Sequence, residues 1–344
     1  MESGTRSPER FSDRTYKPRQ RDTSDLQAGL IGLGLMGTSI ATCLLSAGHS
    51  VRGLESDATK RRRAKGRVLV LLKEMIREGL LRADPTRVIE RFRVCDDFSV
   101  LAGCQVVVES ITEDLQAKKR ALRQVEKVIA PEALIGTNTS AIPITDLQRG
   151  AFHPERIVGI HWSEPAHVTC FMEIICGRLT SLTCARRALA FARAWGKDPS
   201  LLCRDVRGFI ANRISYAMFR EAFHLVESGV ATIADVDRSL RNDVGWWITF
   251  AGPFRYMDLM GIPAYAIVMR DLLPDLNRDT KVPPLMQKVV ASGACGVSNL
   301  RGFYRYTPAE ARRWEKEFLR FNYAIRKLAM TCPEEPRTRH HDSR

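Results

Sequence analysis

The chain has 344 residues and a net charge of +14, with 44% hydrophobic residues and nine scattered cysteines. That length suits two domains with a sizeable core. No apolar run approaches ~18 residues, so no membrane partner is expected. An odd set of cysteines without a C-x-x-C pair suits reduced thiols in a cytoplasmic protein better than a disulfide framework. The positive charge raises the question of nucleic acid, but its distribution argues against it. Residues 1–25 hold six Lys/Arg against five Asp/Glu, and a polar arm over 1–26 is expected to be disordered. The densest basic cluster is Lys60 to Arg67, with six cations in eight residues. It reads either as a solvated helix face or as an attraction for a phosphorylated substrate.

An apolar run at Leu30-Ile31 meets Gly32-x-Gly34-x-x-Gly37. A helical pattern follows through Ile40, Ala41, Leu44 and Leu45, then a second strand ending at Glu55. Gly32 permits a tight turn, Gly34 lets backbone approach a pyrophosphate, and Gly37 lets the helix pack on the sheet. The pyrophosphate would rest on the first amides of the helix. Glu55 lies 21 residues past Gly34 (55 − 34), where an acid accepts from both ribose hydroxyls and repels a 2′-phosphate, so NAD is expected rather than NADP. Leu35 and Met36, between the glycines, join the expected cofactor contacts, although Met36 by itself reads as helix–sheet packing.

Asp57 caps a helix running to about Leu81. Strands are expected at 91–94, 106–108, from 134, at 157–160, 171–176 and 201–203. Helices are expected at 115–129 and 182–195. The alternation predicts a doubly wound, mostly parallel Rossmann-type sheet of the α/β class over 27–206. From Gly208 the pattern is helical only, with Thr232 as one cap and later helical stretches near 254–273, 284–292 and 308–330. That predicts a second, all-helical domain over 207–332, followed by a flexible tail at 333–344.

Hydride transfer to NAD needs a base, a group that orients it, and donors for the substrate oxygen. Of seven histidines, His161 follows a buried strand at the ligand end of the sheet. Glu173 on the next strand can return to it and hold its tautomer. The alternative for each is a structural role, as a core histidine or as a strand carboxylate. Ser140 and Asn212 are, on placement alone, ordinary strand-end and helix-start polar residues. No metal-binding set is apparent.

Several motifs in one order resemble the L-3-hydroxyacyl-CoA dehydrogenase family over about residues 28 to 306. The family's N-T-S stands here as Asn138-Thr139-Ser140. Its H-F-F-N-P is His161-Trp162-Ser163-Glu164-Pro165, with Glu173 twelve residues past the histidine. Its P-G-F-I-x-N-R is Arg207 to Arg213, its M-G-P-F is Ala251 to Phe254, and its E-x-x-x-E-x-L-x-x-K is Glu109 to Lys118. The resemblance implies that His161 is the base toward a 3-hydroxyl and that Glu173 orients it. Ser140 and Asn212 bond the substrate. Asn138, Glu113 and Lys118 belong to the cofactor side of the cleft. It also implies an acyl-CoA or hydroxy-acid substrate, a homodimer, a helical domain that serves substrate binding and dimerisation, and a place in fatty-acid metabolism.

Three departures bear on the substrate. Ala141 replaces a serine, Ser163-Glu164 replaces Phe-Asn beside the base, and Arg207 replaces proline. The aromatic stretch Gly245 to Phe250 reads as domain packing or a dimer interface, or alternatively as an acyl-pocket wall. Related dehydrogenases of free hydroxy acids such as gulonate or carnitine share this framework, as do crystallin-like NAD-binding proteins without turnover.

Overall fold

The computed structural model describes residues 26–331. The expected tail, and the arm apart from Leu26, lie outside the described residues. The chain divides into two compact units, one ending at Arg213 and one beginning at Ile214.

The first unit alternates strands and helices. In chain order these are β1 (Gln27–Ile31), α1 (Leu35–Ser46), β2 (Ser50–Leu54), α2 (Ala58–Arg77), α3 (Pro85–Glu90), β3 (Phe92–Cys95) and β4 (Val106–Glu109). There follow α4 (Leu115–Val128), β5 (Leu134–Thr137), α5 (Ile144–Gln148), β6 (Ile157–Trp162), β7 (Phe171–Cys176), α6 (Leu182–Ala194) and β8 (Asp198–Leu202). The sheet order is β3-β2-β1-β4-β5-β6-β7-β8. All pairings are parallel except β6 with β7. The strand order reverses between β1 and β4, and in such sheets that switch point carries the ligand.

Val106, Val107 and Val108 are all fully buried, as a strand covered on both faces requires. Alternate side chains feed two cores. Val106 and Val108 join Leu30, Ile40, Leu44, Val68 and Leu72 on one face. Val107 joins Ile31, Leu122, Val125 and Ile135 on the other. Burying one such side chain contributes roughly 1.5–3 kcal/mol. Local signals set the helix starts. Asp57 accepts from the amides of Thr59 and Lys60, and Asp114 from that of Ala117.

The differences from expectation are local. α2 stops at Arg77, where Gly79 (φ +78°) turns the chain, rather than at Leu81. The short α3, begun by Asp84 and Pro85, went unpredicted because six residues carry no periodic signal. β8 starts at Asp198 rather than Leu201, since its first residues include Pro199 and half-exposed positions. β6 runs on through His161 and Trp162 instead of stopping at Ile160.

The helix α7 (Ala211–Glu227) carries the chain into the second unit. Its further α-helices among the described residues are α8 (Ile233–Asn242), α9 (Val244–Phe250), α10 (Gly252–Met260), α11 (Ile262–Leu272), α12 (Pro284–Ala291) and α13 (Pro308–Ala329). The single stretch expected near 254–273 is two helices, because Gly261 breaks it at φ +106°. Thr232 caps α8 as expected, and Thr307 with Glu310 forms a reciprocal capping box on α13. In the aromatic stretch, Trp247 stacks on Tyr256 at 4.4 Å, while Trp246 is 78% exposed.

Candidate active site

The glycine turn between β1 and α1 is built tightly. Gly32 has φ +88°, and a Cβ there would lie 2.6 Å from the Ser110 carbonyl oxygen. A Cβ on Gly37 would run into the Gly32 carbonyl. Gly34 differs, because a Cβ there would meet nothing within 4 Å. Gly34 is also the N-cap of α1 and provides no side-chain cap, so the first amides of the helix are left for an external acceptor. A tight turn, open space above the middle glycine and uncapped amides together fit a pyrophosphate. Leu35 is 55% exposed at this mouth, whereas Met36 packs against the sheet core.

Glu55 is buried at the end of β2. Its Oε2 accepts from the Leu33 amide at 2.8 Å and its Oε1 from the Asp57 amide at 2.9 Å. The residue expected to read the ribose therefore also holds the glycine turn in shape. Each carboxylate oxygen has two acceptor sites, which leaves capacity for hydroxyls.

His161 and Glu173 are cross-strand partners in the antiparallel β6–β7 pair. His161 Nδ1 lies 2.8 Å from Glu173 Oε2. Nδ1 is thereby engaged, and Nε2 is the ring nitrogen left for a substrate. Phe171 meets the ring edge-on and Phe209 lies tilted against it, both at 5.5 Å between centroids. Glu173 is itself held, since its Oε1 accepts from the amides of Ile210 and Ala211, both at 3.0 Å, where α7 begins. Burial works to raise its carboxyl, but His161 and those two amides outweigh it and hold the group below the usual range. It stays ionised at neutral pH, ready to stabilise a protonated imidazole.

A second polar chain joins the ends of β4 and β5. Glu109, fully buried, accepts from Thr137 Oγ1 at 2.6 Å, the Ile111 amide at 2.7 Å and Lys118 Nζ at 2.8 Å. Lys118 is also fully buried and reaches Glu113 Oε2 at 3.3 Å. Glu113 Oε1 then accepts from Thr139 Oγ1 at 2.5 Å and from the amides of Ser140 at 2.9 Å and Ala141 at 3.0 Å. Asn212 Nδ2 donates to the Ser140 carbonyl at 2.8 Å. Asn138 donates to Ser110 Oγ at 3.1 Å and accepts from the Trp162 amide, beside the histidine, at 2.9 Å.

The residues expected from sequence thus lie mostly at or just past the carboxyl ends of β1, β2, β4, β5 and β6. With no exposed surface, Lys118 can act on a cofactor only through its neighbours. Asn212 spends one amide hydrogen on backbone. Sequence reasoning gave no role to Glu109, although it opens the E-x-x-x-E segment, nor to a buried set behind the loop after β6. There Ser39 Oγ lies 2.9 Å from His167 Nδ1, and His167 Nε2 lies 3.8 Å from Glu74. No spacing rule connects three residues so far apart in sequence. Glu164, in the same loop and bonded to Ser39, has its carboxyl pushed up to about 7 by burial, against the pull of Arg67, the Ala166 amide and Ser39.

A glycine turn at the switch point, a buried acid at the end of β2 and a His–Glu pair at the strand ends are the arrangement of an NAD-dependent oxidoreductase. The models of the 3-hydroxyacyl-CoA dehydrogenase NAD binding domain and C-terminal domain match residues 27–206 and 208–306. The chain belongs to the 3-hydroxyacyl-CoA dehydrogenase family. It is 32% identical to the 5-formyl-3-hydroxy-2-methylpyridine 4-carboxylate 5-dehydrogenase of Mesorhizobium japonicum, over 87% of this chain and 96% of that protein. It is also 32% identical to a probable 3-hydroxybutyryl-CoA dehydrogenase of Deinococcus radiodurans, over 82% of this chain and 100% of that protein. A crystal structure of a 5-formyl-3-hydroxy-2-methylpyridine 4-carboxylic acid 5-dehydrogenase, described as an NAD+-dependent dismutase, superposes with a TM-score of 0.83 at 29% identity. It covers 90% of this chain and 100% of that one. The (S)-3-hydroxybutyryl-CoA dehydrogenase of Ralstonia eutropha gives a TM-score of 0.68 at 27% identity, over 83% of this chain and 100% of that one.

Proposed function

We propose that the chain oxidises the 3-hydroxyl of an L-3-hydroxyacyl-CoA, or of a related 3-hydroxy acid, with NAD, and catalyses the reverse reduction equally. The observation that carries this reading is the 2.8 Å contact between His161 Nδ1 and Glu173, which leaves Nε2 for the alcohol. His161 takes the hydroxyl proton while Glu173 stabilises the charge that forms on the ring. Ser140 and Asn212 hold the substrate oxygen. NAD, when bound on the glycine turn, supplies the hydride acceptor. A ketone, NADH and a proton result. The helical unit forms a homodimer in this reading, with the second copy covering its exposed apolar faces.

A small free carboxylate is a second candidate substrate. It is favoured by the closer superposition on the pyridine-carboxylate enzyme, 0.83 against 0.68, and by Arg207, a cation where the family has proline, which can meet an anion. The test follows NADH absorbance across short and long 3-hydroxyacyl-CoA thioesters, gulonate, carnitine and a pyridine carboxaldehyde acid. His161→Ala should lower turnover by ~10²-fold or more with NAD binding intact. Near-normal turnover in that variant would remove His161 from the mechanism. Charge reversal across Lys60 to Arg67 should raise KM for the thioesters and leave free acids alone, and an equal effect on both would dismiss a phosphate role for that face.

A further inference from the structure

We propose that the buried Glu109–Lys118 ion pair is a positioning device that aims Glu113 at the loop after β5 and so fixes the placement of Ser140 and Asn212; this rests on the reaction proposed above. Neither member of the pair can touch a substrate, since both side chains are fully buried. What they do touch is informative. Glu109 ties β4 to β5 through Thr137, and its charge holds a Lys118 ammonium that has no solvent-accessible surface. Lys118 then draws one oxygen of Glu113 inward. The other oxygen is left to gather three donors from the Thr139–Ala141 loop.

A carboxylate that accepts from two consecutive amides fixes that loop's backbone, not only its side chains. The fixed Ser140 carbonyl is in turn what Asn212 donates to. The route from the pair to the candidate substrate donors is therefore unbroken: Glu109, Lys118, Glu113, Ser140, Asn212. Partners in such a chain are coupled, and disturbing one end is felt at the other. The arrangement also accounts for a costly feature. Two opposite charges buried together stabilise little compared with apolar replacements, so a role in geometry explains the pair better than a role in stability.

The test uses the full-length protein. Glu109→Gln alone strands the lysine charge, so Glu109→Gln/Lys118→Met, which removes both charges together, keeps the test open if the single variant does not fold. Glu113→Gln is the third variant. Hydrogen exchange of the Ser140 and Ala141 amides, read without substrate, should quicken by ~10-fold in the double variant and in Glu113→Gln. With substrate, at saturating NAD, kcat should fall ~10-fold or more in the double variant. Adding Asn212→Ala to the double variant should cost less than it does in the wild type, since its placement is already lost. A folded double variant with wild-type exchange or wild-type kcat overturns the proposal. So does full additivity with Asn212→Ala. If the wild type turns over none of the substrates, the proposed reaction falls, and the exchange measurement still decides whether the clamp exists.

Discussion

The two units of this chain bury their apolar residues very differently. In the first, Leu30, Ile40, Leu44, Phe92 and Val106 are fully buried on one face of the sheet, and Val107, Val125 and Ile135 on the other. In the second, only Ala311 and Tyr323 are buried among the described residues, while Tyr216, Trp246 and Phe254 are 69%, 78% and 80% exposed. The second unit is not polar to match. Its helices carry Ile, Phe, Trp and Met at helical spacing, and exposed patches of that kind mark interaction surfaces. The sheet unit is therefore complete in itself, whereas the helical unit presents an apolar surface suited to association. Chemistry follows packing here, since the His161–Glu173 pair and the Glu109–Lys118 pair both belong to the unit with the fixed core.

Paired truncations test that contrast most strongly. Phe92→Ala removes a ring that is fully buried beneath the sheet, and should cost about 3–5 kcal/mol of unfolding free energy. Phe254→Ala, at an exposed site, should shift the stability of the dilute protein by no more than about 0.5 kcal/mol. Its effect should appear instead as a weaker association in sedimentation velocity. Equal costs for the two variants in dilute protein would show that the helical unit buries its aromatics within one chain.

Glu55→Ala sharpens the comparison inside the sheet unit. The carboxylate holds the amides of Leu33 and Asp57, so its loss loosens the glycine turn and also removes the repulsion of a 2′-phosphate. The ratio of kcat/KM for NAD over NADP should drop about tenfold or more. An unchanged ratio would place ribose recognition on another residue.

Much of this was legible in the sequence because it depends on local spacing. The glycine turn, the acid at its distance, the capping aspartates and the apolar triplet Val106–Val108 each carry their own signal. His161 and Glu173 were legible as a pair because two adjacent strands separate them by twelve residues. Their direct cross-strand register was not, since β6 was expected to end before His161. Glu109 was hidden for a different reason. It sits in an apolar run, and only the sheet brings Thr137 and Lys118 to it. The Ser39–His167–Glu74 set is the extreme case, built from three elements whose order in space no periodicity reveals. In the helical unit, helix starts were readable from Thr232, but not the break at Gly261, since one glycine in an apolar stretch is an ambiguous signal.

The smallest expected effect concerns Glu164, whose carboxyl sits at about 7 in the folded chain because burial outweighs Arg67, the Ala166 amide and Ser39. An unfolded glutamate titrates near ~4.3. Between those values the folded protein keeps a proton that the unfolded chain gives up. The group's contribution to stability is therefore full below the unfolded value and is lost as pH rises through about 7. Glu164→Gln mimics the protonated form and should flatten that decline, with a melting temperature at pH 8 higher than that of the wild type by only ~1–2 °C, because the side chain is only partly covered and water screens the rest of it. The comparison is made as melting temperature against pH from 5 to 8 for both proteins. If the variant keeps the whole slope, Glu164 is not its source.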